Sequence, residues 1–207
     1  MVKQERAART RDTLILSAAE VFAGQGFTAA SLAVISARAG VSSGALHFHF
    51  AGKAALAAAV EESAVRTLQA VTGRAPRAGA GRLQQLIDVT HDLARQLRED
   101  AVLRAGFQLS GEAARAPRTD VRAHWRAWVE EAVGRAAARG ELRAGVTPAG
   151  AVRAVVAATV GFEVLGSRDT VWLSRPVITQ FWLLLLPTLA AAALRADLDA
   201  AGLPPRL

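Results

Sequence analysis

The chain has 207 residues, of which 52% are hydrophobic and 21% are charged. This composition excludes the polar, charge-rich class of disordered chains, and the length suits one sizeable core with a smaller domain beside it. The net charge of +7 favours an acidic partner such as nucleic acid, and the absence of cysteine excludes disulfides and thiolate metal sites. No apolar segment follows the basic N-terminal residues, so we expect no signal peptide and a cytoplasmic protein.

The first predicted helix covers about residues 5 to 24 and is basic near its start. Apolar residues recur there at intervals of three and four, as they do along almost the whole chain, which predicts an all-α fold. Gly24 and Gly26 predict the end of this helix, because glycine commonly closes one. Its early arginines are Arg6, Arg9 and Arg11.

Two short helices are predicted next, in the stretch SLAVISARAGVSSGALHF. Ser31 and Ser42 are suited to cap their N-termini, and Gly40 is suited to the left-handed turn between them. Small residues from Ser42 to Ala45 would let the second helix approach DNA closely. This pattern predicts a helix-turn-helix, with an ordinary helical hairpin of a core as the alternative.

A longer helix is predicted at residues 53 to 72, followed by a glycine-rich linker from Gly73 to Gly81. Further helices are predicted at residues 82–98, 101–114, 119–138, 148–166 and 175–196. The uncharged segment Val177–Leu194 has nearly the length of a membrane span, but its polar residues and central Pro187 favour a buried or dimer-forming helix. We therefore expect no membrane partner.

The two histidines His47 and His49 stand two residues apart, which places them on opposite faces of a helix. They cannot share a metal from there, and no acidic residue lies nearby in sequence to complete a site. Gly24 and Gly26 follow a helix, whereas a dinucleotide-binding loop follows a strand. We therefore expect no metal site, no cofactor and no enzyme activity, with a helical enzyme or carrier that has a vestigial DNA-binding head as the alternative.

Residues 10 to 56 resemble the N-terminal DNA-binding domain of the TetR family of repressors. The matched positions are Thr10, Arg11, Ala18, Ala19, Phe22, Gly26, Phe27, Ser31, Leu32, Ile35, Ala39, Gly40, Val41, Ser42, Gly44, Leu46, His49, Phe50, Lys53 and Leu56. The resemblance implies an all-α homodimer. A three-helix DNA-binding head would occupy residues 1–52, and a helical ligand-binding and dimerisation domain residues 53–207.

The resemblance also implies which residues contact DNA. Those nearest the bases would be Ser42, Ser43, Ala45 and Leu46, and those on phosphates would be Arg6, Arg9, Arg11, His47 and Lys53. Ser31 is a further expected DNA contact. His49 and Phe50 would close the core of the head. The family usually has tyrosine where His47 stands, and γ-butyrolactone receptors often have lysine where Ser43 stands. The missing lysine is expected to weaken a phosphate or guanine contact, and imidazole adds a pH-sensitive donor.

The second part of the chain resembles the γ-butyrolactone signal receptors of filamentous actinobacteria, a TetR subgroup, around residues 101 to 166. Their ligand-binding domain has a tryptophan against the lactone ring where Trp125 stands, which suits a small, mostly apolar ester. Thr159 is the candidate hydroxyl donor, and Glu163, one turn further on, would line the same cavity. The alternatives are that Thr159 bonds its own helix and that Glu163 is a charge on the dimer surface. The other three tryptophans are expected in the core.

These resemblances predict a ligand-responsive repressor that binds a pseudo-palindromic double-stranded operator as a homodimer and is released by a γ-butyrolactone-like effector. Three alternatives remain open. The chain could sense a multidrug, antibiotic or lipid-like ligand, be the helical enzyme or carrier mentioned above, or coat DNA without sequence preference.

Overall fold

The structure is a computed structural model that describes residues 2–75, 79–113 and 115–202. Within these ranges the chain forms α-helices and two short 3-10 helices, and no β-strand. The predicted all-α class is therefore confirmed. The linker predicted from Gly73 to Gly81 lies partly outside the described residues.

The helices follow the predicted order along the chain. They are α1 (Val2–Ala29), α2 (Leu32–Arg38), α3 (Ser43–His49), α4 (Lys53–Thr72), α5 (Arg82–Glu99), α6 (Ala101–Ser110), α7 (Val121–Ala138), α8 (Pro148–Gly166) and α9 (Arg175–Leu189). The 3-10 helices are Thr170–Leu173 and Ala192–Leu194. α9 ends earlier than the predicted residue 196, because Ala190 forms an isolated antiparallel bridge with Leu142. α1 runs past its predicted end, with a break at Gly26, where φ is 77°.

The first of two compact units contains the chain up to Thr67 together with Asp100–Val121. Its core is formed by apolar residues of α1 to α4 and α6. Gly106 allows α6 to approach α4 closely, since a Cβ at this position would lie 2.2 Å from the Cβ of Ala64. This unit holds the whole predicted helix-turn-helix.

The second compact unit contains Leu68–Glu99 and the chain from Arg122 onward. α5 buries most of its apolar face here. The segment after α9 is held on α5 by hydrogen bonds: His91 Nε2 lies 3.0 Å from the Ala200 carbonyl, and the Gln84 side-chain carbonyl accepts from Asp199 N at 2.8 Å. The functional boundary predicted after residue 52 remains a prediction.

One described helix has the length and apolar composition of a membrane span. It is α8, Pro148–Gly166, and 28% of its 18-residue apolar stretch is buried. The uncharged segment Val177–Leu194 is not one helix, because α9 ends at Leu189.

Candidate DNA interface and ligand site

Local hydrogen bonds build the helix-turn-helix as the sequence predicts. Ser31 Oγ accepts from Val34 N at the start of α2, and Ser42 Oγ accepts from Ala45 N at the start of α3, both at 3.2 Å. Between the helices Gly40 takes a φ of 66°, in the left-handed region that favours glycine. Both predicted caps and the predicted turn are present, so this motif follows from signals that act over a few residues.

The exposed face of α3 contains most of the residues predicted to contact bases. Ser42 and Ser43 are exposed, and Ala45 is half-buried. His47, which was predicted on phosphates, is also exposed on this helix. Leu46 was predicted to lie near the bases, and this is wrong: only 1% of its surface is exposed, and it belongs to the core of the first unit. Its apolar side chain faces inward because α3 must bury one face against α1 and α2.

Phe48 is a candidate DNA-contacting residue that the sequence analysis missed. Its side chain is 82% exposed on α3, and its ring makes an edge contact with His49 at 5.2 Å between centroids. A phenylalanine this exposed lies outside the core of the first unit. The sequence could have indicated this position, because a residue two places after the apolar Leu46 lies on the opposite face of a helix.

The predicted basic residues of α1 lie on its surface. Arg6 and Arg9 are exposed and Arg11 is half-buried, with its guanidinium 5.4 Å from the centre of the Phe50 ring. Phe50 is 5% exposed and closes the core of the head, as predicted. Ser31 is exposed beside its cap bond, where its hydroxyl can still donate outward.

Lys53 is placed differently from the phosphate contact predicted for it. Its ammonium donates to the carbonyls of Phe27 at 2.9 Å, Thr28 at 3.0 Å and Ala30 at 2.9 Å. A lysine ammonium has three N–H donors, so these three carbonyls take them all. The phosphate role is therefore corrected: Lys53 satisfies the end of α1 and ties the start of α4 to it.

The structure brings together the three residues predicted to line a ligand site in the second unit. The indole of Trp125 is fully buried and donates from Nε1 to Thr159 Oγ1 at 2.8 Å. The Thr159 hydroxyl in turn donates to the Val155 carbonyl at 2.9 Å, within its own helix. Thr159 is therefore an acceptor for Trp125 here, and its proposed role as a free hydroxyl donor is not what the structure shows.

Glu163 lies one turn beyond Thr159 on α8 and is 4% exposed. It accepts from Arg122 Nη2 of α7 at 2.6 Å, so the alternative of a dimer-surface charge is wrong. Burial raises the pKa of the Glu163 carboxyl above its ordinary value of 4.5, and the nearby Arg122 guanidinium opposes this shift. Arg122 was missed in the sequence because its partner is distant in the chain.

The remaining tryptophans divide between core and surface. Trp182 is fully buried, as predicted, while Trp128 is half-buried and stacks on Trp125 at 5.3 Å between ring centroids. Trp172 was predicted in the core, and this is wrong, since 40% of it is exposed. It lies in the 3-10 helix after α8, where Leu173 turns inward in its place.

Comparison with known proteins decides the family. Residues 14–60 match the bacterial regulatory proteins of the tetR family. A crystal structure of TylP, a TetR regulator from Streptomyces fradiae, is 32% identical with a TM-score of 0.75, and the match covers 94% of this chain and 93% of that one. This chain belongs to the TetR family.

Other relatives of this TetR protein are receptors. The A-factor receptor protein of Streptomyces griseus is 29% identical over 208 residues, which cover 98% of this chain and 71% of that protein. A crystal structure of a γ-butyrolactone receptor described as ArpA-like is 28% identical with a TM-score of 0.82, covering 95% of this chain and 96% of that one. The protein is thus a DNA-binding transcription regulator homologous to such receptors.

One motif of this TetR protein has the spacing of a catalytic turn. Residues 40–44, GVSSG, have the spacing of a hydrolase nucleophile turn, but they lie between two helices, and Ser42 Oγ caps α3. Among the described residues, no group of three or more His, Asp or Glu side chains could hold a metal ion.

Proposed function

We propose that this TetR-family protein is a cytoplasmic repressor that binds a pseudo-palindromic operator as a homodimer and is released by a γ-butyrolactone-type effector. The observation that carries the proposal is the complete helix-turn-helix, whose second helix exposes polar residues and a phenylalanine. Similarity along almost the whole chain to A-factor and γ-butyrolactone receptors supports the effector class.

The DNA contacts follow from which side chains are free on the surface. Base edges would be read by Ser42, Ser43 and Ala45, with Phe48 against a thymine methyl or a sugar. We place His47 with them and not on phosphate, because it is exposed on the same helix. Phosphates would be contacted by Arg6, Arg9, Arg11 and Ser31. Leu46 is not among the proposed contacts because it is buried. Lys53 is not among them because its ammonium donates to three backbone carbonyls.

The homodimer is supported by apolar residues that α8 and α9 expose. Val164 and Leu165 are 48% and 43% exposed on α8, and Leu183 and Leu184 are 59% and 81% exposed on α9. Exposed aliphatic side chains grouped on two helices mark an interaction surface. A second copy is the natural occupant, since an operator with two half-sites needs two heads.

The effector site would centre on Trp125, between α7 and α8, where Thr159 and Glu163 also lie. An apolar ester could bind only by displacing part of this packed cluster, because Trp125 is fully buried and hydrogen-bonded. Binding would therefore favour a conformation other than the one described, and only such a difference in affinity shifts a population. α4 is the continuous helix that passes from the first unit into the second.

The experiment is a titration of a fluorescent duplex containing the DNA upstream of this protein's own gene, at about 150 mM salt. A scrambled duplex is the control for sequence preference, and a synthetic γ-butyrolactone is then added. Specific binding that the lactone releases supports the whole proposal. Specific binding that it leaves unchanged removes the lactone and keeps the regulator, while equal binding to both duplexes removes self-regulation.

His47→Ala tests the recognition helix in the same assay. We expect a loss of about 1–3 kcal/mol of specific binding free energy with little change for the scrambled duplex. Arg168→Ala, at an exposed position beyond α8, is the matched control and should leave both affinities unchanged.

A further inference from the structure

A cleft of about 460 Å³ opens on the surface of the second unit. It is formed by the end of α4, the start of α5 and one side of α7. Its lining includes one aromatic and four charged side chains: Arg74, Arg82, Trp128, Glu131 and Arg135. The volume is within the range of small-molecule sites, which is about 300–1,000 Å³.

Trp128 supplies a flat aromatic wall to this cleft. It is half-buried, and one face of its indole stacks on Trp125 with the rings 20° from parallel. Trp125 in turn is fully buried and bonded to Thr159. Trp128 therefore stands between the open cleft and the buried cluster, so a molecule lying in the cleft would meet Trp128 and not Trp125.

The charges around the cleft are predominantly positive. Arg74 pairs with Asp92 at 2.6 Å, and Arg135 pairs with Glu131 one turn earlier on α7. The Arg82 guanidinium donates instead to the neutral side-chain carbonyl of Gln85, at 2.8 Å.

The nearby carboxylate of Glu141 bonds to backbone groups and not to the Arg82 side chain. It is 6% exposed and accepts from the backbone N–H groups of Arg82 at 3.0 Å and Leu83 at 2.8 Å, where it caps the start of α5. The bonded partner of the Arg82 side chain thus carries no negative charge to match the guanidinium.

We propose that this cleft binds a small planar molecule that carries a carboxylate, with its ring on Trp128 and its carboxylate on Arg82. A guanidinium presents a rigid planar pair of donors that matches the two oxygens of a carboxylate. An indole face binds a flat ring through stacking and burial of apolar area. Neither feature is required by a neutral lactone, so the inference does not rest on the effector proposed above.

The test is isothermal titration calorimetry of the full-length protein without DNA, using 2-naphthoate and its neutral methyl ester as probes. The acid should bind at least about tenfold more tightly than the ester, which corresponds to about 1.4 kcal/mol. Arg82→Gln should remove most of this difference, and Trp128→Leu should weaken both probes. Arg126→Gln changes an exposed arginine of α7 outside the cleft and should leave both affinities unchanged.

Several outcomes overturn the proposal. They are no binding of the acid, equal binding of acid and ester, or an Arg126→Gln variant that loses as much affinity as Arg82→Gln. Arg82→Lys keeps the charge without the planar fork and should give an intermediate affinity. Thermal unfolding of each variant identifies one that fails to fold, and because no DNA is present, the result is independent of whether an operator or a lactone is bound.

Discussion

At the scale of single residues, the two fully buried tryptophans differ in whether their indole N–H is satisfied. Trp125 donates to Thr159, whereas Trp182 Nε1 has no acceptor among the described residues. A buried donor without a partner costs about 1–3 kcal/mol. Replacing each indole by phenyl therefore removes a satisfied bond in one case and an unsatisfied donor in the other.

We expect Trp125→Phe to lower the free energy of unfolding by about 1–2 kcal/mol more than Trp182→Phe does. Both changes remove a similar volume from the core, so the loss of packing is common to both variants. Urea denaturation followed by circular dichroism measures the difference. Equal losses would mean that the hydrogen bond to Thr159 contributes nothing to stability.

Glu163 predicts a dependence of stability on pH. Because burial raises its pKa in the folded state above 4.5, despite Arg122, the folded state binds the proton more tightly than the unfolded state does. The stabilisation is complete below the unfolded pKa and is lost as pH rises through the folded pKa. The unfolding free energy of the wild type, minus that of Glu163→Gln, should therefore fall as pH rises above 4.5.

Urea denaturation of both proteins at several pH values between about 4 and 8 gives this difference. A difference that increases with pH would show that the ion pair with Arg122 outweighs burial. Subtracting the variant cancels every titrating group whose pKa does not depend on Glu163.

At the scale of helices, the sequence predicted what local signals determine. The caps of α2 and α3, the turn at Gly40 and the bounds of α4 and α8 all follow from side chains within a few positions. The sequence could not predict the contacts that only tertiary packing creates. The bonds of Lys53 to the end of α1, the pair between Glu163 and Arg122 and the cleft around Trp128 join residues that are far apart in the chain.

A substitution of Lys53, at the start of α4, tests whether this residue holds the end of α1 or contacts a DNA phosphate. If it caps α1, Lys53→Met should lower the thermal stability and weaken DNA binding without changing the slope of log affinity against log salt. A lost phosphate contact would instead reduce that slope by about 0.9. Arg9→Ala, on the exposed face of α1, is the matched variant and should reduce the slope while leaving the melting temperature unchanged.

At the scale of the whole molecule, the composition of α8 suits either a membrane span or a helix of a folded protein. By length and composition it could span a membrane, yet α8 buries Thr159 and Glu163, which bond to Trp125 and Arg122 of α7. Its exposed apolar residues, with those of α9, form the surface proposed to hold a second copy. Dimerisation and DNA binding are then coupled, because two linked heads bind two half-sites with a higher effective concentration.

Leu184→Glu tests this coupling. Leu184 is 81% exposed, so the substitution should leave the fold of the monomer intact, while a carboxylate buried against a second copy is costly. We expect sedimentation to show a monomer and the affinity for a two-half-site operator to fall by at least about tenfold. Leu16→Glu changes a 48% exposed leucine of α1 and should remain dimeric. A Leu184→Glu protein that sediments as a dimer would place the interface elsewhere and leave the exposed face of α9 without a partner.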